Sequence, residues 1–250
     1  MVVLAEPNAV RLDLVPPFAS APALPSVLMR LRLETRSEHE DVERVLDLMS
    51  ALTDSTYRQR LVQFYGFYSP LETALQASCA KQSNIHDVGV SQLPMLLPRL
   101  HKSFLLRQDL HHLGVSTAGL AQCGALPPIE TPAQVLGCLY VLEGATLGGR
   151  LITQHIQATL GITPATGGSF FDGYAGHTAR MWNAMRQTLL SGAVDAQAEN
   201  AMVASAIATF TCLRGWCEST SLRKNGVTVH GLNNHPALKP KNHTKAEPGA

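Results

Sequence analysis

Residues 131–161, TPAQVLGCLYVLEGATLGGRLITQHIQATLG, decide the fold. Thr131 and Gln134 have the spacing of a capping box, Pro132 stands at the first helical position, and Gly161 follows the last apolar residue as a stop signal. The stretch therefore predicts one helix of about eight turns. It contains Gly144, Gly148 and Gly149. Each glycine inside a helix costs about 1 kcal/mol relative to alanine, so three within six positions need a compensating reason. One reason is tight helix packing by small residues. Another is a phosphate loop, but no strand precedes the stretch and no Gly-Lys-Ser/Thr follows it. The third is a flat ligand lying against the backbone. The spacing alone leaves packing and ligand both open.

Working outward, the apolar period stays helical and alternating runs of β-branched residues are missing, which predicts an all-α fold. Leu28, Leu31, Thr35, His39, Val42, Leu46 and Met49 follow one another at three- and four-residue steps. They predict one helix with His39 on its inward stripe. A second helix is expected from Asp54 as N-cap, with a kink or restart at Ser69-Pro70-Leu71-Glu72. Pro94 and Pro98 interrupt the next segment, Leu100–Leu113 reads as a helix ended by Gly114, and Asp172 is a candidate cap for a helix around Met181–Leu190. Ala196–Ser219 reads as the last helix. Residues 1–26 carry Pro7, Pro16, Pro17, Pro22 and Pro25 and read as an extended arm, and residues 222–250 read as a polar tail. Between them, residues 27–221 are expected to form a single domain.

A formal net charge of +1, with 45% hydrophobic and 16% charged residues, argues against a nucleic-acid binder and against a disordered chain. The five cysteines (Cys79, Cys123, Cys138, Cys212, Cys217) form no C-x-x-C pair and suggest neither a disulfide framework nor a thiolate zinc site. This fits a reducing cytoplasm. The small-residue run at Phe18 lacks a basic segment before it, so no signal peptide is expected, and no unbroken apolar run reaches the roughly 18–20 residues that span a bilayer. A soluble protein without a membrane partner is the expectation.

Glu43 lies one helical turn after His39, where its carboxylate can approach the imidazole. Such a carboxylate fixes the tautomer and leaves the other ring nitrogen to bind a metal. An ordinary intrahelical pair around a core histidine would have the same spacing. Arg32 and Arg36, seven and three residues before His39, flank the stripe and could reach carboxylates at a pocket edge or simply face water.

Leu33-Glu-Thr-Arg-Ser-Glu-His-Glu-Asp-Val-Glu43 resembles the proximal helix of haem oxygenases, and Leu139-Tyr-Val-Leu-Glu-Gly-Ala-Thr-Leu-Gly-Gly-Arg150 resembles their glycine-rich distal helix, especially in bacterial members associated with bacteriophytochromes. Phe64-Tyr-Gly-Phe-Tyr68 and Leu106-Arg-Gln-Asp-Leu110 extend the similarity over about residues 27–220. The resemblance implies a single-domain helical bundle with haem between a proximal and a distal helix. It implies His39 as the axial iron ligand, Glu43 as its hydrogen-bond partner, and Arg32 and Arg36 near the haem propionates. Arg180, or Arg186, is the implied basic contact from the later helix. Gly144, Gly148 and Gly149 match the distal glycines, and Tyr65 matches a tyrosine that helps hold distal water. The animal members carry an aspartate where this chain has Ala145. Haem would be both cofactor and substrate, cleaved with O2 to biliverdin (the IXα isomer), carbon monoxide and ferrous iron. No flavin or iron–sulfur motif is present in the sequence, so an external reductant such as ferredoxin is implied, with a bacteriophytochrome as recipient of the biliverdin. Two other classes stay open on the residues: a non-enzymatic haem carrier or sensor, which would also use His39, and a helical interaction module in which the glycines only pack helices.

Overall fold

The structure is a computed structural model that describes residues 26–82 and 93–222. The expected proline-rich arm and polar tail, with His230, His235 and His243, lie outside these residues. Among the described residues eight α-helices follow in order: α1 (Val27–Glu34), α2 (Arg36–Leu46), α3 (Asp54–Gln82), α4 (Lys102–His112), α5 (Pro132–Leu160), α6 (Ser169–Asp172), α7 (Thr178–Gly192) and α8 (Ala196–Leu222). Short 3-10 turns lie at Leu93–Arg99, Pro164–Thr166 and Ala175–His177, and there is no strand among the described residues. The all-α expectation holds.

The central helix forms as its sequence dictates. Thr131 accepts from Gln134 N–H, the Gln134 side chain accepts in return from the Thr131 N–H, and Gly161 ends the helix in the left-handed region at φ 69°. α5 lies along α8, with α7, α6 and α3 against its other sides. The two helices come close at Gly137, where a Cβ would stand 2.2 Å from the Met202 carbonyl oxygen. Beside it, Cys138, Ser205 and Thr209 form a buried chain of hydrogen bonds. By length and composition α5 could cross a membrane, but half of its most apolar 18-residue window is buried within the fold. Its apolarity is used in the core. Leu136, Leu139 and Leu142 join Leu31, Leu61, Leu71, Leu75, Leu106 and Leu110 there, each burial worth about 1.5–3 kcal/mol.

Four sequence expectations are corrected. The helix expected to run through His39 breaks at Thr35, whose backbone sits at φ −101°, ψ 4° and whose hydroxyl donates to Leu31 O at 2.6 Å. This back-bonding bends helices. α3 does not restart at Ser69 but continues through Pro70. Proline removes the N–H that the Gly66 carbonyl would have received, and Cys123 N–H supplies one instead at 2.8 Å. Gly66 must be bare for this, since a Cβ there would meet the Ala121 carbonyl at 2.7 Å and the Trp216 ring at 2.5 Å. Asp54 is the first residue of α3 rather than its cap; Thr53 and Thr56 exchange hydrogen bonds in that role. Asp172 closes α6 and does not cap α7, which starts at Thr178.

Two buried carboxylates cap helices from a distance. Glu72 accepts from Lys102 N–H (2.8 Å) and Ser103 N–H (3.0 Å) at the start of α4. Asp109 accepts from Ser169 N–H (2.9 Å) and Phe170 N–H (2.7 Å) at the start of α6. Both place negative charge where the helix macrodipole favours it. At the α5–α8 contact, Gly137→Ala is expected to lower the unfolding free energy by about 1–3 kcal/mol through overpacking. Gly215→Ala on α8, where a Cβ would meet nothing within 4 Å, is expected to be neutral or stabilising by up to about 1 kcal/mol. Urea unfolding of the two variants checks the contrast, which fails if Gly137→Ala is tolerated.

Candidate functional site

α2 and α5 both pack on α8, and two contacts link them. At one end Tyr140 lies beside Thr35 and the Arg32 charge; burial pushes the Tyr140 phenol up, and these two neighbours oppose it. At the other end His155 Nε2 donates to the Ser50 carbonyl oxygen at 2.8 Å. Along α5 the contacts stand roughly 22 Å apart. One turn beyond the first contact come His39 on α2 and Gly144 on α5.

The three glycines separate. A Cβ on Gly144 would meet only the edge of the Trp182 ring, at 3.9 Å, and one on Gly148 would meet nothing within 4 Å. A Cβ on Gly149 would lie 2.0 Å from the Phe171 carbonyl oxygen. Gly149 therefore lets α6 approach α5, and Gly144 and Gly148 leave a bare strip of backbone. Leu147 and Leu151 flank that strip and are 49% and 65% exposed.

His39 does not point into the core as its stripe suggested: its side chain is 52% exposed and meets the Phe210 ring edge-on at 5.6 Å. The break at Thr35 and the bulk of Phe210 hold it at the margin. Glu43 Oε2 stands 3.6 Å from His39 Nδ1, an ion-pair distance longer than a hydrogen bond. His39 Nε2 has no protein partner among the described residues. Arg32 lies beside Tyr140, whereas Arg36 is held by Glu40 at 2.8 Å on the exposed face. Arg180 and Arg186 are exposed on α7 and form no ion pair among the described residues. Tyr65 is half-buried on α3, and Ala145 is exposed.

Sequence reasoning missed the charged cluster next to the glycines. Glu143, 1% exposed, receives Arg99 Nη1 at 2.6 Å and Lys102 Nζ at 2.5 Å, while the Tyr174 hydroxyl donates to it at 2.9 Å. A signal existed: Glu143 is the only acidic residue in α5, and a carboxylate within an apolar helix needs buried partners. Tyr68 was missed too. It is buried among Phe64, Phe67 and Phe170, and burial, aided by the charges of Glu72 and Glu143, raises its phenol far above the usual range.

An imidazole with a free Nε2 on α2 and a bare backbone strip with apolar flanks on α5 are groups that could hold an apolar metal-centred ring. The family model described as "Heme oxygenase" matches residues 26–219. Among solved structures, the NO- and CO-bound haem oxygenase of Neisseria meningitidis is similar over 78% of this chain and 92% of its own, with 18% identity and a TM-score of 0.63. Haem oxygenase-1 of the cyanobacterium Synechocystis, in complex with haem, is similar over 80% of this chain and 96% of its own, with 17% identity and a TM-score of 0.61. The Leptospira interrogans haem oxygenase is similar over 78% and 100%, with 18% identity and a TM-score of 0.60. No curated protein sequence matches significantly.

The glycine assignment has a test in the ligand-free protein. Gly149→Ala should cost about 1–3 kcal/mol, because backbone rather than a flexible side chain must move. Gly148→Ala should be neutral or gain up to about 1 kcal/mol. Equal losses in the two, measured by chemical denaturation, would show that Gly148 is packed and that no bare strip exists.

Proposed function

The chain belongs to the haem oxygenase family, whose members are haem-degrading oxidoreductases, and from that premise we propose that it opens haem to biliverdin, carbon monoxide and ferrous iron. The supporting observations are the exposed His39 on α2, with Nε2 unpartnered among the described residues, and the bare Gly144–Gly148 strip on α5, two helices that pack on the same α8, with His155 of α5 donating to the Ser50 carbonyl just after α2. Bound haem supplies the iron at which O2 is activated with electrons from an external donor such as ferredoxin. The chain supplies placement. His39 Nε2 would hold the iron, and Glu43, drawing closer to Nδ1, would fix the tautomer and raise the donor strength of the ring. Gly144 and Gly148 would let the backbone of α5 come within contact of the ring face, which a side chain at either position would prevent.

Arg32 would take a propionate at the Tyr140 end, Arg36 would have to leave Glu40 to do so, and Arg180 or Arg186 would reach from α7. Exposed pairs of this kind contribute about 1 kcal/mol each, so burial of the apolar porphyrin faces must supply most of the affinity and the arginines its orientation. A distal water would be held by the Tyr65 hydroxyl and backbone groups, since Ala145 offers no carboxylate. One fixed orientation under a shielding helix favours one product isomer, which we take to be IXα. The cysteines form no disulfide among the described residues, which supports a reducing, cytoplasmic setting. Delivery of the biliverdin to a bacteriophytochrome completes the reading.

With haem, O2 and reduced ferredoxin, and with catalase present to remove free peroxide, the wild-type protein is expected to yield predominantly one biliverdin isomer by chromatography. His39→Ala should retain the helix but lose the wild-type haem spectrum, with partial recovery on adding imidazole. Haem that survives repeated reduction under oxygen would identify a carrier instead. An unchanged ferric EPR signal in His39→Ala would remove His39 from the iron.

A further inference from the structure

Glu143 directly precedes Gly144, and its partners come from three directions. Arg99 closes the turn before α4, Lys102 begins α4, and Tyr174 comes from the turn between α6 and α7. Arg99 also donates from both Nη atoms to the Met181 carbonyl at 3.2 Å, in the first turn of α7. Trp182, the next residue, is the side chain nearest Gly144 and packs on Tyr140 with ring centroids 5.9 Å apart. The turn carrying Tyr174 is strained to present it: Gly173 and Ala175 take φ of 57° and 49°, and alanine adopts that region only when its surroundings enforce it. The Lys102 ammonium also stands 5.2 Å from the Tyr174 ring centre. These contacts fix α5 and α7 relative to each other beside the bare strip.

We propose, resting on the haem oxygenase reading, that the Arg99–Lys102–Glu143–Tyr174 cluster is a positioning device that sets where the Gly144–Gly148 strip lies over the ring, and so which ring edge is cleaved. None of the four needs to touch the substrate. The carboxylate holds two buried cations, so its neutralisation leaves both uncompensated and allows α5, α7 and Trp182 to shift. Loss of the Tyr174 hydroxyl removes one hydrogen bond and no charge. The cluster thus offers a strong and a gentle perturbation of the same strip.

The test uses Glu143→Gln and Tyr174→Phe in the full chain. In the ligand-free protein, hydrogen exchange of residues 143–149 should speed up about tenfold or more in Tyr174→Phe, while residues 132–139, packed on α8, keep wild-type protection. If Glu143→Gln does not fold, Tyr174→Phe carries the test alone. Haemin should still bind stoichiometrically, and bilin chromatography with catalase present should show a second isomer absent from wild type. Wild-type exchange in the 143–149 segment overturns the proposal, because the strip is then not held by the cluster. Faster exchange with one unchanged isomer also overturns it, leaving the cluster a purely structural role. If wild type itself produces no bilin, the haem oxygenase reading has failed and the proposal falls with it.

Discussion

A single helix has to be buried on one side and bare on another, and the rest of the structure is arranged around that demand on α5. Its backbone hydrogen bonds are satisfied within the helix, so glycine can be left uncovered without stranding a polar group. The same residue type then serves opposite ends: at Gly137 and Gly149 it admits the backbones of α8 and α6, whereas Gly148 faces nothing and Gly144 only the edge of the Trp182 ring. The helical cost of the packing glycines is offset by close contact in the core. The cost of the open pair has no such offset in the free chain; under the proposed function a ligand approaching the strip would supply one.

Holding such a helix in place falls to carboxylates buried between elements. Glu72 and Asp109 each leave their own helix to satisfy the first N–H groups of another, so α3 is joined to α4 and α4 to α6. α6 then meets α5 at Gly149. Burial pushes the Asp109 carboxyl up, and the hydrogen bonds from Phe170 and Ser169 oppose it. Glu143 works differently, gathering two cations and a phenol around one point of α5. A buried charge with one partner removed is far more costly than a pair never formed, so these links specify a geometry more than they add stability.

Much of this was legible in the residues. The caps of α5, the stop at Gly114 and the start of α8 follow from local chemistry, and the structure has them where that chemistry puts them, whereas α8 runs on to Leu222, past the expected end at Ser219. The misreadings share one cause, a distant partner. Pro70 signals a restart until Cys123 is known to serve the Gly66 carbonyl. Glu72 looks like part of a local capping box until it is seen on α4. Gly148 and Gly149 are adjacent and chemically identical, and only the Phe171 carbonyl distinguishes a bare position from a packed one. His39 occupies the stripe by spacing, but a stripe cannot reveal that the helix breaks at Thr35 and that Phe210 holds the ring outward.

Under the proposed function, the outward set of His39 would tie fold to function. An imidazole buried in the core would be held by protein atoms and unable to serve as a ligand, whereas one at a margin keeps Nε2 available. The haem site proposed between α2 and α5 is a groove whose far end the His155–Ser50 hydrogen bond closes. Three features inside can adjust: the strip at Gly144–Gly148, the exposed Leu147 and Leu151 side chains, and the His39–Glu43 pair, whose 3.6 Å separation leaves room to tighten. A ring entering the groove would cover the leucines, draw His39 toward its centre and bring Glu43 Oε2 within hydrogen-bond reach of Nδ1. Substrate binding would thereby complete a contact that the free protein leaves open, and the closed end of the groove would keep the orientation that one product isomer requires.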